Sequence, residues 1–415
     1  MRLCYGTPED IDKWMELVAS VRSSFPGLET QAALDEHRAV VAKFMAERQA
    51  ICVKADNEIA GVMLFSRRHN MICCLAVSPK YRRRGVASML MDEALDNLDR
   101  TKEISVTTFR KNDIKGEGAM ALYEKYGFIG GELVYEMNYP NQRYILFPDS
   151  SEQKARQTAV NRMTSEISSM LSECEPSIYL YGSSVMDDFR LGWSDIDILV
   201  LTKTQISEQI AESLVGLRQT MNVLEPDNQY YRLFEGGMLT LRAFLTGEPD
   251  RVVYWGTSGE RVTDKYNFDS LCLTELLEYG QLLHGEDIRG ELKPPSFDLL
   301  YDDIYRHYEA IREYAQKPSR SIYSFGWMLD IARCIYTLRT KKMISKSEAG
   351  AWALENKLCK KPEALIFALM VRSDPTMYKN IPQTLNYAQT LTEPIQRFAD
   401  VLERELKLAK SKRTK

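Results

Sequence analysis

Beyond Lys293-Pro294-Pro295 the chain reads as helix to its end, whereas before it short apolar strands alternate with amphipathic helices. That change of rhythm excludes a single repeating architecture. At 415 residues the chain is long enough for two or three cores. Apolar residues recur at helical period through Ile304, Tyr308 and Ile311, then from Ile331 to Leu338, Ala364 to Met370 and Ile395 to Leu406. This predicts a bundle of four or five helices. The basic end, 410–415, reads as a solvated, frayed terminus.

The earlier part divides again. Strands are predicted at Ala50–Ala55, 58–65 and Met71–Val77, the first two joined by a hairpin turn at Asp56-Asn57. A helix follows at 85–98, a strand at Ile104–Phe109, a helix at 119–126 and a strand at 133–138. Tyr139-Pro140-Asn141-Gln142-Arg143 and Phe147-Pro148-Asp149-Ser150-Ser151 then read as linker, with Ser150 and Gln153 at capping-box spacing ahead of a long helix. After it, 177–181, 197–201 and 238–244 are predicted as buried strands. The expected fold is therefore multidomain α/β: an α/β domain at 1–146, a second at 152–292 and a helical bundle at 293–415.

Composition narrows the partners. Lys plus Arg number 54 against 58 Asp plus Glu, a net charge of −4 that makes no electrostatic case for DNA or an anionic membrane. No apolar run approaches a bilayer span. The eight cysteines form no CxxC pair, and no signal peptide is read, so reduced thiols and a cytoplasmic location are expected. The histidines His37, His69, His284 and His307 match no zinc spacing.

Two constellations carry chemistry. In the first, Arg82-Arg83-Arg84-Gly85-Val86-Ala87 lies between a strand and a helix, so unpaired backbone N–H groups at the helix start face an arginine cluster. That arrangement suits a pyrophosphate. The run Leu75-Ala76-Val77-Ser78-Pro79-Lys80-Tyr81-Arg82-Arg83-Arg84-Gly85-Val86-Ala87, with Ala119, Tyr123 and Tyr126-Gly127-Phe128 downstream, resembles the GNAT acetyltransferase superfamily over about 145 residues. The resemblance implies acetyl-CoA held at Val77, Arg82, Arg83, Arg84, Gly85, Val86 and Ala87, acetyl transfer to an amine, and Tyr123 as the acid for the departing thiolate. Gly116 stands where the family often has Asn. No carboxylate base lies on the strand Met71–Val77, where Cys73 and Cys74 read as core thiols.

In the second, Tyr181-Gly182-Ser183-Ser184 precedes Ser194-Asp195-Ile196-Asp197-Ile198. Aspartates at i and i+2 put both carboxylates on one face of a strand, where like charges repel unless a cation neutralises them. Oxygen pairs of this kind suit Mg²⁺. The order strand, Gly-Ser turn, Asp-x-Asp, strand resembles the nucleotidyltransferases. The segments around Leu329-Asp330-Ile331-Ala332, Ser345-Lys346 and Ala349-Gly350-Ala351-Trp352 resemble the helical domain of the aminoglycoside adenylyltransferases acting on streptomycin and spectinomycin. This implies Mg²⁺ on Asp195 and Asp197, ATP or another NTP at Gly182, Ser183 and Lys346, and a base on the third strand. The predicted third strand carries no acid, which leaves Glu235, just upstream of it, as the candidate. The drug-contacting acid of that family falls near Tyr323 here.

Together these imply a bifunctional transferase, acetylating an amine and adenylylating a hydroxyl of a small molecule, with an aminoglycoside as the economical common acceptor. The alternative is that only the acetyltransferase acts, and the other half binds or regulates a protein or RNA. Oligomeric state is not legible.

Overall fold

The computed structural model describes residues 1–55, 58–148, 152–249, 251–257 and 259–413, with side chains described to residue 411. The expected hairpin turn at Asp56-Asn57 and the expected cap at Ser150 lie outside the described residues. The chain divides into two compact units, Met1–Met163 and Thr164–Lys415. The segments 152–292 and 293–415, expected as separate domains, thus fall almost wholly in one unit.

In the first unit, strands β1 (Arg2–Tyr5), β2 (Ala50–Ala55), β3 (Glu58–Ser66), β4 (Met71–Val77), β5 (Ile104–Phe109), β6 (Ile129–Glu136) and β7 (Tyr139–Leu146) form one sheet in the order β1-β2-β3-β4-β5-β7-β6. Every neighbouring pair is antiparallel except β4 and β5. Helices α1 (Ile11–Val21) and α2 (Gln31–Ala46) bury Trp14, Val18 and Val41 with Cys52, Val62 and Leu64 on one face. Helices α3 (Val86–Asn97) and α4 (Glu117–Lys125) bury Leu90, Met91 and Tyr123 with Val53, Met63 and Phe65 on the other. Both faces being covered, β3 is apolar almost throughout rather than alternating.

The stretch 139–143, expected as linker, is instead the start of β7, seated between β5 and β6. Pro140 is tolerated because it lies beyond the last β5 pair, Phe109↔Asn141, and faces only Tyr135 on β6, so one side of it is an edge.

Helix α5 (Glu152–Met170) leads into the second unit, and the division between the units falls within it. There follow β8 (Pro176–Tyr181), β9 (Ile196–Thr202), α6 (Glu208–Leu224), β10 (Phe234–Thr240), α7 (Leu241–Thr246), β11 (Val252–Trp255), β12 (Arg261–Thr263), α8 (Ser270–Tyr279) and β13 (Gln281–His284). The sheet order is β12-β11-β10-β9-β8-β13, with only β9 and β10 parallel. The bundle comprises α9 (Phe297–Tyr314), α10 (Gly326–Thr340), α11 (Lys346–Glu355), α12 (Pro362–Ser373), α13 (Pro375–Tyr378), α14 (Pro382–Gln389) and α15 (Thr392–Arg413). It exceeds the expected four or five helices because short, proline-started α13 and α14 intervene. The basic end, expected to fray, continues α15 to Arg413; residues 414 and 415 lie outside the described residues.

The third strand, expected at 238–244, is β10, four residues earlier. Thr240 ends it by capping α7 through the Ala243 N–H at 3.1 Å. Its two glycines are obligatory. Gly236 has φ +148°, and a Cβ there would overlap the Ile198 carbonyl; a Cβ at Gly237 would overlap the Tyr266 ring. Gly236→Ala is accordingly expected to cost about 2–3 kcal/mol or more, read from the second unit's transition in urea.

Candidate functional sites

In the first unit β4 and β5 pair only at Met71↔Ser105 and Ile72↔Val106. Beyond those residues the parallel strands part, opening a wedge at their carboxyl ends. Between Ile72 and Cys74 the β3–β4 register shifts, making Cys73 the extra residue of a β-bulge. Cys73, read from the sequence as a core thiol, is instead exposed on this bulge.

The arginine run leads from this wedge to α3. Gly85 is the N-cap at φ +82°, and no side chain caps the helix. Arg83 also takes a left-handed conformation, φ +59°. The Arg82 Nε donates to the Val77 carbonyl at 3.3 Å, and the Arg84 guanidinium lies 5.7 Å from the Tyr81 ring centroid. All three arginines and Gly85 are exposed, while Val86 is buried and Ala87 half-buried. The start of α3 is held close to the sheet because Gly61 leaves room: a Cβ there would come within 2.5 Å of Val86. Its leading N–H groups remain available to an anion.

Tyr123 lies on α4 in the apolar core on the same face of the sheet as α3. It is 4% exposed and packs on Phe128 at 5.6 Å between ring centroids. Burial, reinforced by the neighbouring Cys74 thiol, pushes its pKa well above the usual phenol value. The structure also explains Gly116: a Cβ there would overlap Phe109, so no asparagine fits.

In the second unit, β8 ends in a tight turn at Gly182–Ser184 and β9 begins just after Asp195. Gly182 has φ +68°, and a Cβ on it would overlap the Asp197 Oδ2, so the turn lies directly against that carboxylate. The Ser184 Oγ is buried without a hydrogen-bond partner. On β10, Glu235 is the Cα partner of Asp197 in a parallel register, so the third carboxylate sits beside the pair. The Tyr254 hydroxyl donates to the Glu235 Oε1 at 3.4 Å.

The electrostatics follow from this crowding. Burial first, then the Glu235 charge and a carboxyl–carboxyl hydrogen bond with it, raise Asp195 to about 6. Asp197 is pushed well above the carboxylate range by burial and then by Glu275, Asp195 and Glu235. Lys346 at the start of α11 opposes both shifts. Its ammonium is 2.9 Å from Asp330, which in turn lies 4.0 Å from Arg333; Arg333 pairs with buried Glu275 at 2.6 Å. Burial acts to raise Asp330, but Lys346 and then Arg333 outweigh it and hold the carboxyl below its ordinary value.

Among the described residues no group of three or more His, Cys, Asp or Glu side chains is arranged to hold a metal ion. Two carboxylates suffice for Mg²⁺ when substrate phosphates complete its shell. The all-oxygen donor pair, its raised pKa values and the buried Ser184 hydroxyl fit a cation there.

The residues singled out in the sequence thus fall into two groups. Val77, Arg82–Arg84, Gly85, Val86 and Ala87 run from the end of β4 to the start of α3, and Tyr123 lies on α4 in the core that also holds Val86. Gly182, Ser183, Asp195, Asp197, Glu235 and Lys346 gather at the ends of β8, β9 and β10. Glu275 and Arg333 escaped the sequence reading because each is one of several charged residues on an ordinary amphipathic helix.

Residues 14–128 match the acetyltransferase (GNAT) family model, and residues 300–374 match the aminoglycoside adenylyltransferase C-terminal domain. The chain thus carries two segments, each similar to part of a transferase family. No curated protein matches. Among solved structures, a GNAT-family acetyltransferase from Bacillus cereus ATCC 10987 is 21% identical and covers 35% of this chain and 96% of its own, with TM-score 0.29. A spectinomycin adenyltransferase from Enterococcus faecialis, solved with ATP and spectinomycin, is 18% identical and covers 57% and 98%, with TM-score 0.40. An N-acetyltransferase from Thermoplasma acidophilum in complex with coenzyme A is 14% identical and covers 34% and 96%, with TM-score 0.28. No described helix is long and apolar enough to cross a membrane.

Proposed function

We propose that the chain is a bifunctional transferase, moving acetyl from acetyl-CoA to an amine and adenylyl from Mg-ATP to a hydroxyl of an aminoglycoside-like molecule. The observation that carries the reading is the convergence of Asp195, Asp197 and Glu235 beside a glycine turn and a lysine. Residues 1–146 serve as the acetyltransferase, 152–292 as the nucleotide domain and 293–415 as its helical partner. Both donors are metabolites of the cytoplasm, where we place the reactions.

In the first site the N–H groups from Arg83 to Ala87, with the three arginines, bind the pyrophosphate of acetyl-CoA. The neutral acceptor nitrogen forms its bond to the acetyl carbon and gives up a proton to solvent, and the thiolate leaves. Tyr123, kept protonated by burial, returns a proton to that sulfur.

In the second site Asp195 and Asp197 hold Mg²⁺, which when bound neutralises charge on the phosphates. Gly182 and Ser183 orient the triphosphate, and Lys346 reaches it with a positive charge. Glu235 takes the hydroxyl proton as the acceptor oxygen bonds to the α-phosphorus and pyrophosphate departs. The bridge to Asp330 holds Lys346 in reach when no nucleotide is bound.

The test is direct. The purified protein is incubated with acetyl-CoA or with Mg-ATP across an aminoglycoside panel and the products are weighed. One acetyl and one adenylyl addition are expected; a panel with neither addition sinks the proposal. Acetyl-CoA and Mg-ATP should each also raise the melting temperature.

A further inference from the structure

Between the Gly182-Ser183 turn and Asp195 lies a carboxylate that the chemistry above does not use. Asp188 is 2% exposed, and so is its partner Arg372 on α12. The guanidinium donates to Asp188 Oδ2 from Nε at 3.1 Å and from Nη2 at 2.7 Å, and Nη2 also donates to the Asp188 carbonyl at 3.0 Å. The same carboxylate accepts from Ser347 on α11, from the hydroxyl at 2.5 Å on Oδ1 and from the backbone N–H at 3.3 Å on Oδ2. The Asp188 N–H donates to the Ser183 carbonyl at 3.3 Å. One residue therefore links the glycine turn, the first turn of α11 and α12.

A fully buried ion pair is weak evidence for stability, since apolar residues of similar volume often serve as well. What it supplies is direction. Ser347 directly follows Lys346 at the start of α11. A Ser345/Glu348 capping box starts the helix, and the Asp188 carboxylate adds an anion at the same amino end, tying that end to the glycine turn.

We propose that Asp188 is a positioning residue for nucleotidyl transfer, keeping the Lys346 ammonium in register with the Gly182-Ser183 turn and the Asp195/Asp197 pair. This rests on the ATP reading above. Nucleotide affinity, rather than the chemical step, then depends on the Asp188–Ser347 contact.

Ser347→Ala removes the charge-assisted hydroxyl bond and leaves a residue that α11 accommodates. Its expected effect is a rise of about tenfold in KM for Mg-ATP with kcat within about twofold of wild type. Ser347→Thr, which keeps the hydroxyl, should restore the wild-type KM. A second variant guards against mere loss of folding. Asp188→Leu with Arg372→Met replaces the pair without leaving a buried charge, so the melting temperature should hold while KM stays raised.

An unchanged KM in Ser347→Ala, or a wild-type KM in the double variant, overturns the proposal. Wild-type protein that shows no saturable binding of Mg-ATP overturns the nucleotidyl reading and this one with it. Wild-type binding with an unshifted Ser347→Ala overturns this one alone.

Discussion

Asp197→Asn is expected to lower nucleotidyl transfer by at least about a thousandfold while raising the melting temperature of the second unit. Both effects come from one side chain. Asp197 is buried against Gly182 and faces the charges of Glu275, Asp195 and Glu235, with Lys346 as the opposing cation. An acid whose folded pKa lies above its unfolded value favours the folded state only when protonated. The penalty is absent below the unfolded value near 3.8 and grows as pH rises toward the folded one. At pH 7 to 8 the native protein therefore carries a strain that asparagine relieves.

Mg²⁺ relieves the same strain in the wild type, so it should raise the wild-type melting temperature and leave Asp197→Asn nearly unmoved. The Mg²⁺-induced rise should fade as pH falls, because Asp197 and Asp195, both raised, take up protons and compete with the metal. Differential scanning fluorimetry with and without Mg²⁺, beside an adenylylation assay, measures all three quantities. A variant that keeps its activity, or that melts below wild type, removes the dicarboxylate from the catalytic centre.

The legibility of this site was uneven, for identifiable reasons. Asp195 and Asp197 stood out because two like charges entering an apolar strand need a physical reason. The strand that completes the site was misplaced by four residues, since Gly236-Gly237 reads as a break and Leu241-Arg242-Ala243-Phe244 reads as apolar strand. The glycines are there because the Ile198 carbonyl and the Tyr266 ring occupy the space of their side chains. No local pattern encodes that. Glu235 was consequently named from outside the strand on which it sits.

Tyr139-Pro140 read as linker for a similar reason, although β7 occupies an interior position in its sheet. The Asp188–Arg372 pair spans 184 residues and leaves no signature at any period. Motifs bound to one turn of chain were visible from their residues, Lys346 only through a family resemblance, and the Asp188–Arg372 pair not at all.

Tyr123→Phe is expected to reduce kcat for acetyl transfer by about a hundredfold, with KM for acetyl-CoA within about twofold of wild type. Phenylalanine preserves the ring that packs against Phe128, so the fold of α4 against the sheet should survive. Only the proton donor is lost. The wild-type pH profile distinguishes this role from a general base. Burial, then Cys74, holds the phenol protonated well past its ordinary range. A tyrosine acting as acid therefore gives no falling limb at alkaline pH within the range where the protein is folded. The rate should instead climb with pH as the acceptor amine loses its proton, and level off once it is neutral. In Tyr123→Phe the same climb should appear at about a hundredth of the height, because the amine still titrates and only the leaving thiolate lacks its acid. Nucleotidyl transfer, which draws on none of these residues, should be unchanged. A Tyr123→Phe protein with wild-type turnover would show that water entering the β4–β5 wedge protonates the thiolate, and the buried phenol would then be a packing residue alone.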